Sequence, residues 1–123
     1  MASVLGIGGV FFRAKDGAAL KDWYARVLGL NIAQWGSAMF ANPTLGFQQL
    51  APFGQDTTHF APSTADYMLN LIVDDMDGMI ARIEAAGETM LKREDHEYGR
   101  FAWLMDPNGV KLELWQPLGP SPV

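Results

Sequence analysis

Apolar positions along this chain switch twice from an extended pattern to a helical one. Residues 4–14 form an apolar run bearing Phe and Val, and predict a strand that ends at Lys15-Asp16. Asp16 is suited to cap the helix that follows. There Leu20, Trp23, Tyr24, Val27 and Leu28 take the i, i+3, i+4, i+7, i+8 spacing of one buried face, and Gly29 stops the helix. Three short strands are then expected at 30–35, 38–41 and 45–51, with Asn42-Pro43 between the last two. Residues 52–63, rich in Pro, Gly, Thr and Asp, read as a linker. The order then restarts. A strand is expected at 67–73, ending at Asp74-Asp75, and a helix with Met76, Met79, Ile80 and Ile83 on one face runs to Gly87. A strand at 88–92 and a hairpin at 98–116 complete the second half.

The closing hairpin is the best-signposted element. Pro107 pre-sets a type I turn, and Asn108-Gly109 offer the positive φ that closes it. Side chains alternate along a strand, so Lys111, Glu113 and Trp115 share one face while Leu112 and Leu114 share the other. A carboxylate beside Trp on a sheet face is either a wet surface or a pocket wall.

The chain thus reads strand, helix, strand, strand, strand, twice over. Setting Asp16 against Asp75 gives a period of roughly sixty residues. This predicts an α+β fold of two βαβββ modules, whose curved, partly closed mixed sheet surrounds a cleft. The modules span 1–53 and 67–117, joined by a linker at 54–66 and followed by a tail at 118–123, all in one domain.

Composition narrows the function. The 123 residues suffice for one domain, and 49% apolar with 19% charged residues is a globular balance. A net charge of −5 gives no electrostatic footing for nucleic acid or an anionic membrane. With no cysteine, disulfides, thiolate nucleophiles and Cys-based zinc sites are excluded. The start MASVLGIGG does not resemble a signal peptide, and no apolar run reaches the ~20 residues that span a bilayer. A cytoplasmic protein is expected. GIGG at Gly6 to Gly9 lacks the spacing of a phosphate-binding loop, and its small residues are expected to admit a neighbouring strand.

The two βαβββ modules, the strand–Asp–helix–Gly start of each and the closing DPNGVKLELWQP resemble the vicinal oxygen chelate superfamily, the group of glyoxalase I, bleomycin-resistance proteins and extradiol dioxygenases. The likeness runs over roughly residues 5–117. In its metal-dependent members four side chains converge on a divalent ion. Carried over by position, that set becomes Gly9, Gln48, Met68 and Glu113. Glycine offers no ligand and thioether sulfur is a poor one for such ions. No cofactor is therefore expected, and a divalent metal enters only through a rearranged set such as His59, Gln48 and Glu113.

The resemblance makes Glu113 the candidate catalytic carboxylate. Candidate ligand-binding residues are Phe11, Arg13, Gln48, Met68, Asn70, Tyr98, Arg100 and Trp115. A desolvated carboxylate needs a cation or donors, and Arg13 is the expected partner of Glu113. His59, in the linker, and His96, in the charged run KREDHEYGR, read mostly as surface residues, either one able to act as a base if its loop covers the pocket. Three readings stay open: a glyoxalase-type lyase or isomerase without the usual metal site, a ligand-sequestering protein of the drug-resistance kind, and a metalloenzyme with rearranged ligands. Each takes a small-molecule ligand, and a homodimer is expected.

Overall fold

The structure is a computed structural model and describes residue 5 and residues 7–41 and 45–122. It is an α+β fold in which two helices cover one face of a four-stranded mixed sheet that does not close. In chain order the elements are α1 (Gly17–Leu28), β1 (Leu69–Ile72), α2 (Met76–Ala85), β2 (Lys92–His96), β3 (Gly99–Met105) and β4 (Lys111–Pro117). The sheet order is β1-β4-β3-β2. β1 runs parallel to β4, and the other two pairings are antiparallel.

Both helices form where the polar punctuation directs. Asp16 accepts from the Ala19 amide at 3.0 Å and Asp75 from the Gly78 amide at 3.1 Å, so each carboxylate satisfies an orphan donor of a first turn. Gly29 ends α1 in the left-handed region at φ 74°. The buried face of α1 is the expected one: Leu20, Trp23, Tyr24, Val27 and Leu28. They share one core with Met76 and Ile83 of α2 and with Ala102, Leu104, Leu112 and Leu114 of the sheet. Arg82 ties the helices together by donating to the Val27 carbonyl at 3.2 Å.

The β3–β4 turn is held by a residue that sequence reading passed over. Asp106 is buried, and its Oδ1 accepts from the amides of Asn108 (2.8 Å) and Val110 (3.0 Å). Its Oδ2 accepts from the Tyr24 hydroxyl at 2.8 Å, fastening the turn to α1. Burial, followed by the hydrogen bond to Asp106, raises the Tyr24 phenol well above its ordinary range. The turn closes through Gly109 alone in the positive-φ region, at 78°, and Asn108 needs no such excursion.

The second half matches its expected βαβββ order, with one shift. The strand expected at 88–92 lies at Lys92–His96, so most of the charged run is an edge strand rather than a loop. Its exposed Lys92, Arg93 and Asp95 suit an edge that must not template further pairing. The first half differs more. Among the described residues its only β pairing is the bridge Ile32↔Ala38, closed by a turn in which Gly36 N donates to Ala33 O at 2.8 Å. The runs 7–14 and 45–51 are not strands of the sheet. Nothing lies within 4 Å of a Cβ built on Gly8, so the expected close approach of a strand is not made there. The physical reason is plain: an extended segment becomes a strand only with a ladder partner, and these segments have none. Val4, Gly6 and Asn42-Pro43 lie outside the described residues.

Candidate functional site

β4 is the spine of the site. Its pairing sets Glu113 opposite Trp103 of β3 and Asn70 of β1, and Trp115 opposite Phe101. Alternation puts all five on the sheet face turned away from the helices. Leu112 and Leu114 point the other way, into the core.

Three side chains hold Glu113. Its Oε1 accepts from Asn70 Nδ2 at 2.8 Å. Its Oε2 accepts from Trp103 Nε1 at 2.9 Å and lies 3.1 Å from His59 Nε2. The His59 contact is a hydrogen bond in the tautomer that carries its proton on Nε2. The Glu113 side chain is only 14% exposed, so these donors replace water that burial has removed.

His59 arrives from the segment expected to be a linker. The stretch 54–66 is folded as successive turns over the sheet face. Lys111 Nζ donates to the His59 carbonyl at 2.7 Å, and Ser63 Oγ donates to the Gly109 carbonyl at 2.6 Å. The imidazole stacks on Phe53, with ring centroids 5.6 Å apart, and meets Trp103 edge-on. Burial pushes the Lys111 amine below the usual lysine range; neighbouring Glu113 opposes that shift and Lys92 adds to it.

Two clefts flank this cluster. One, of about 380 Å³, is walled by His59, Trp103, Lys111, Lys92, Glu94 and Leu91 and is mainly polar. The other, of about 460 Å³, is walled by Phe47, Tyr98, Phe101, Trp115, Asn70 and Glu113, with Gln49, the Leu45-Gly46 turn and residues 117–122 at its rim. Phe47 meets Trp115 edge-on at 5.1 Å. Gly46 lets that turn close over the indole: it sits at φ 69°, and a Cβ there would lie 3.1 Å from the Trp115 ring.

The expected site residues divide accordingly. Glu113, Asn70, Tyr98 and Trp115 meet at the aromatic cleft. Arg100 does not: it pairs with Gln116 on the opposite sheet face, where its charge acts on Asp77. Phe11 is 94% exposed and lines neither cleft. Arg13 is also exposed; its carbonyl accepts from Asn108 beside the turn, and among the described residues no ion pair joins it to Glu113. The partner expected of Arg13 is supplied instead by the indole, amide and imidazole. Gln48 turns away to accept from the Ile7 amide at 2.8 Å, and its neighbours Phe47 and Gln49 face the cleft. Met68 precedes β1 and lines neither cleft. His96 stacks on Tyr98 at 5.1 Å and meets Phe101 edge-on at 6.0 Å, and lines neither cleft. Phe101 and Trp103 were legible in the strand alternation once Glu113 was chosen. His59 had no signal beyond being a histidine.

The donor set does not fit the superfamily's four-ligand ion. Gly9 has no side chain, Gln48 and Met68 are elsewhere, and among the described residues no group of three His, Asp or Glu side chains is placed to hold a metal ion. His59 and Glu113 are two donors already spent on each other.

Comparison with known proteins agrees with this fold. An antibiotic binding protein from a Streptomyces species is 26% identical, with a TM-score of 0.54 over 85% of this chain and 88% of its own. A glyoxalase/bleomycin resistance protein, also from Streptomyces, is 24% identical, with a TM-score of 0.52 over 82% of this chain and 91% of its own. A protein from the mobile metagenome of V. Pseudocholerae superposes with a TM-score of 0.57 at 16% identity, over 93% of this chain and 98% of its own. No curated protein sequence matches the chain significantly. The model of the glyoxalase-like domain matches residues 9–115, nearly the whole length, and the chain belongs to that family.

Proposed function

We propose that this protein binds a flat, largely apolar small molecule in the aromatic cleft beside Glu113. The observation that carries the reading is the cleft's wall: Phe47, Tyr98, Phe101 and Trp115 surround a space of about 460 Å³, the volume of a drug-sized ligand, with one carboxylate on its floor. The structural likeness to an antibiotic binding protein supports sequestration as the purpose of that binding. The test is a calorimetric or thermal-shift screen of polycyclic aromatics against the wild type, Tyr98→Ala and Phe101→Leu. Tyr98 is 65% exposed, so its truncation leaves the core alone. Binding that both variants weaken supports the reading; binding that neither alters removes the aromatic cleft as its seat.

A lyase or isomerase reading is favoured by one contact, His59 Nε2 at 3.1 Å from Glu113 Oε2, which gives a carboxylate base a route for its proton. Against it, three of the roughly four lone-pair directions of Glu113 are occupied. Turnover of a hemithioacetal panel that disappears in both Glu113→Gln and His59→Gln would establish it. A metalloenzyme with rearranged ligands requires stoichiometric divalent ion in the purified protein, lost on Glu113→Ala.

The working unit we propose is a homodimer. Leu5, Phe11, Trp35 and Phe40 are between 73% and 97% exposed. Such residues, on segments whose backbones lack a sheet, fit a second copy better than water. In solution, light scattering should give twice the 13.5 kDa of the chain.

A further inference from the structure

Among the described residues that line the aromatic cleft, one carries a formal charge, and that charge is negative. Among the described residues lining it, no Lys, Arg or His accompanies Glu113. Among the described residues the carboxylate is approached by an indole, an amide and an imidazole, and no Lys or Arg forms an ion pair with it. Lys111, the nearest cation along the strand, feels the charge of Glu113 but forms no ion pair with it among the described residues. Its Nζ donates to the His59 carbonyl, sits over the Trp103 ring at 5.8 Å and faces the other cleft. The indole and amide donate to Glu113 without bringing a charge, and the imidazole does the same in its Nε2–H tautomer.

The remaining walls act in the same sense. Aromatic faces carry negative quadrupole density, and Phe101, Trp115, Phe47 and Tyr98 turn several rings toward the same space. A carboxylate set among aromatic rings is the chemistry that holds an organic cation, through ring faces on its flanks and an ion pair at one end. An anionic ligand would lose its hydration there and meet only negative charge. A neutral ligand would use the rings and leave the carboxylate's free lone pair unpaired. From this we infer that the ligand is a flat aromatic molecule bearing a positive charge, a protonated or quaternary nitrogen seated against Glu113. The inference rests on the proposal that the cleft binds small molecules and adds the charge class of its occupant.

The test compares three probes of one shape by calorimetry: N-methylquinolinium (cationic), 1-methylnaphthalene (neutral) and 1-naphthoate (anionic). The cation should bind wild type about tenfold more tightly than the neutral probe, the margin of one partly desolvated ion pair with cation–π contact, and the anion should bind least. Raising KCl from about 50 to about 500 mM should weaken the cation severalfold and leave the neutral probe unmoved. Glu113→Gln, checked for folding by near-UV circular dichroism, should remove the preference for the cation and keep the neutral affinity. The salt series needs no variant, so the inference stays testable should Glu113→Gln unfold. Equal affinities of cation and neutral probe overturn the charge assignment and leave the aromatic cleft standing as a binding site. Failure of all three probes to bind overturns both.

Discussion

Tyr24→Phe removes one oxygen atom and tests how α1 is fastened to the β3–β4 turn. The hydroxyl donates to Asp106 Oδ2 at 2.8 Å in a buried setting, while Oδ1 keeps its two backbone amides. The variant leaves one carboxylate oxygen without its donor and adds no cavity larger than a hydroxyl. A hydrogen bond to a charged group is worth about 1.5–3 kcal/mol, so urea unfolding should show a loss of about 2 kcal/mol with an unchanged m-value. The pH dependence supplies a second signature. The folded-state phenol titrates well above its ordinary value of 10.0, mainly through burial. A group raised on folding stabilises fully below its unfolded pKa and loses that contribution as pH rises toward its folded one. Wild type should therefore lose stability above pH about 10 at a rate of up to about 1.4 kcal/mol per pH unit more than Tyr24→Phe does. The reasoning fails if the variant unfolds within about 0.5 kcal/mol of wild type at neutral pH, the scatter of ordinary surface substitutions. It also fails if both proteins show the same alkaline slope.

Lys111→Met should free the folded 54–66 segment, because it cuts the 2.7 Å bond to the His59 carbonyl; amide exchange at Thr57–Ser63 should quicken while β3 and β4 keep their protection. Gly46→Ala sets a Cβ at positive φ against Trp115 and Pro117, and should weaken binding of a flat aromatic ligand more than it lowers the melting temperature. Asp106→Asn retains the shape of the turn but replaces a carboxylate that takes three donors with an amide whose NH₂ faces one of them; a loss of about 2–4 kcal/mol is expected in urea.

The second half of the fold was legible because each of its signals is local. Asp75 caps, Gly87 stops, Pro107 to Gly109 turn, and Leu112 and Leu114 alternate with Glu113. Both helices carry their buried face in their spacing. The first half was harder to read, since strands at 7–14 and 45–51 depend on a ladder partner that local pattern cannot supply, and the apolar residues that suggested strands are left exposed. The site divides on the same line. Once Glu113 is placed on β4, alternation and register bring Trp115, Phe101, Trp103 and Asn70 to it. Arg13 and Gln48 lie on segments that form no strand, and neither lines a cleft. His59 reaches Glu113 through turns at 54–63 whose Pro, Gly and Thr composition reads equally well as a free linker. Distance along the chain, 54 residues in this case, hides such a contact from any periodicity.

The four tryptophans give the most direct test of where a ligand sits, because each reports from a different place. Trp115 lines the aromatic cleft and Trp103 donates to Glu113, whereas Trp23 donates to Glu88 beneath α1 and Trp35 is exposed at the turn following it. In a titration with N-methylquinolinium followed by indole N–H signals in nitrogen–proton correlation spectra, Trp115 should move most and saturably, Trp103 less, and Trp23 and Trp35 hardly at all. A saturating shift confined to Trp35 or Trp23 would place the ligand outside the cleft and contradict the account.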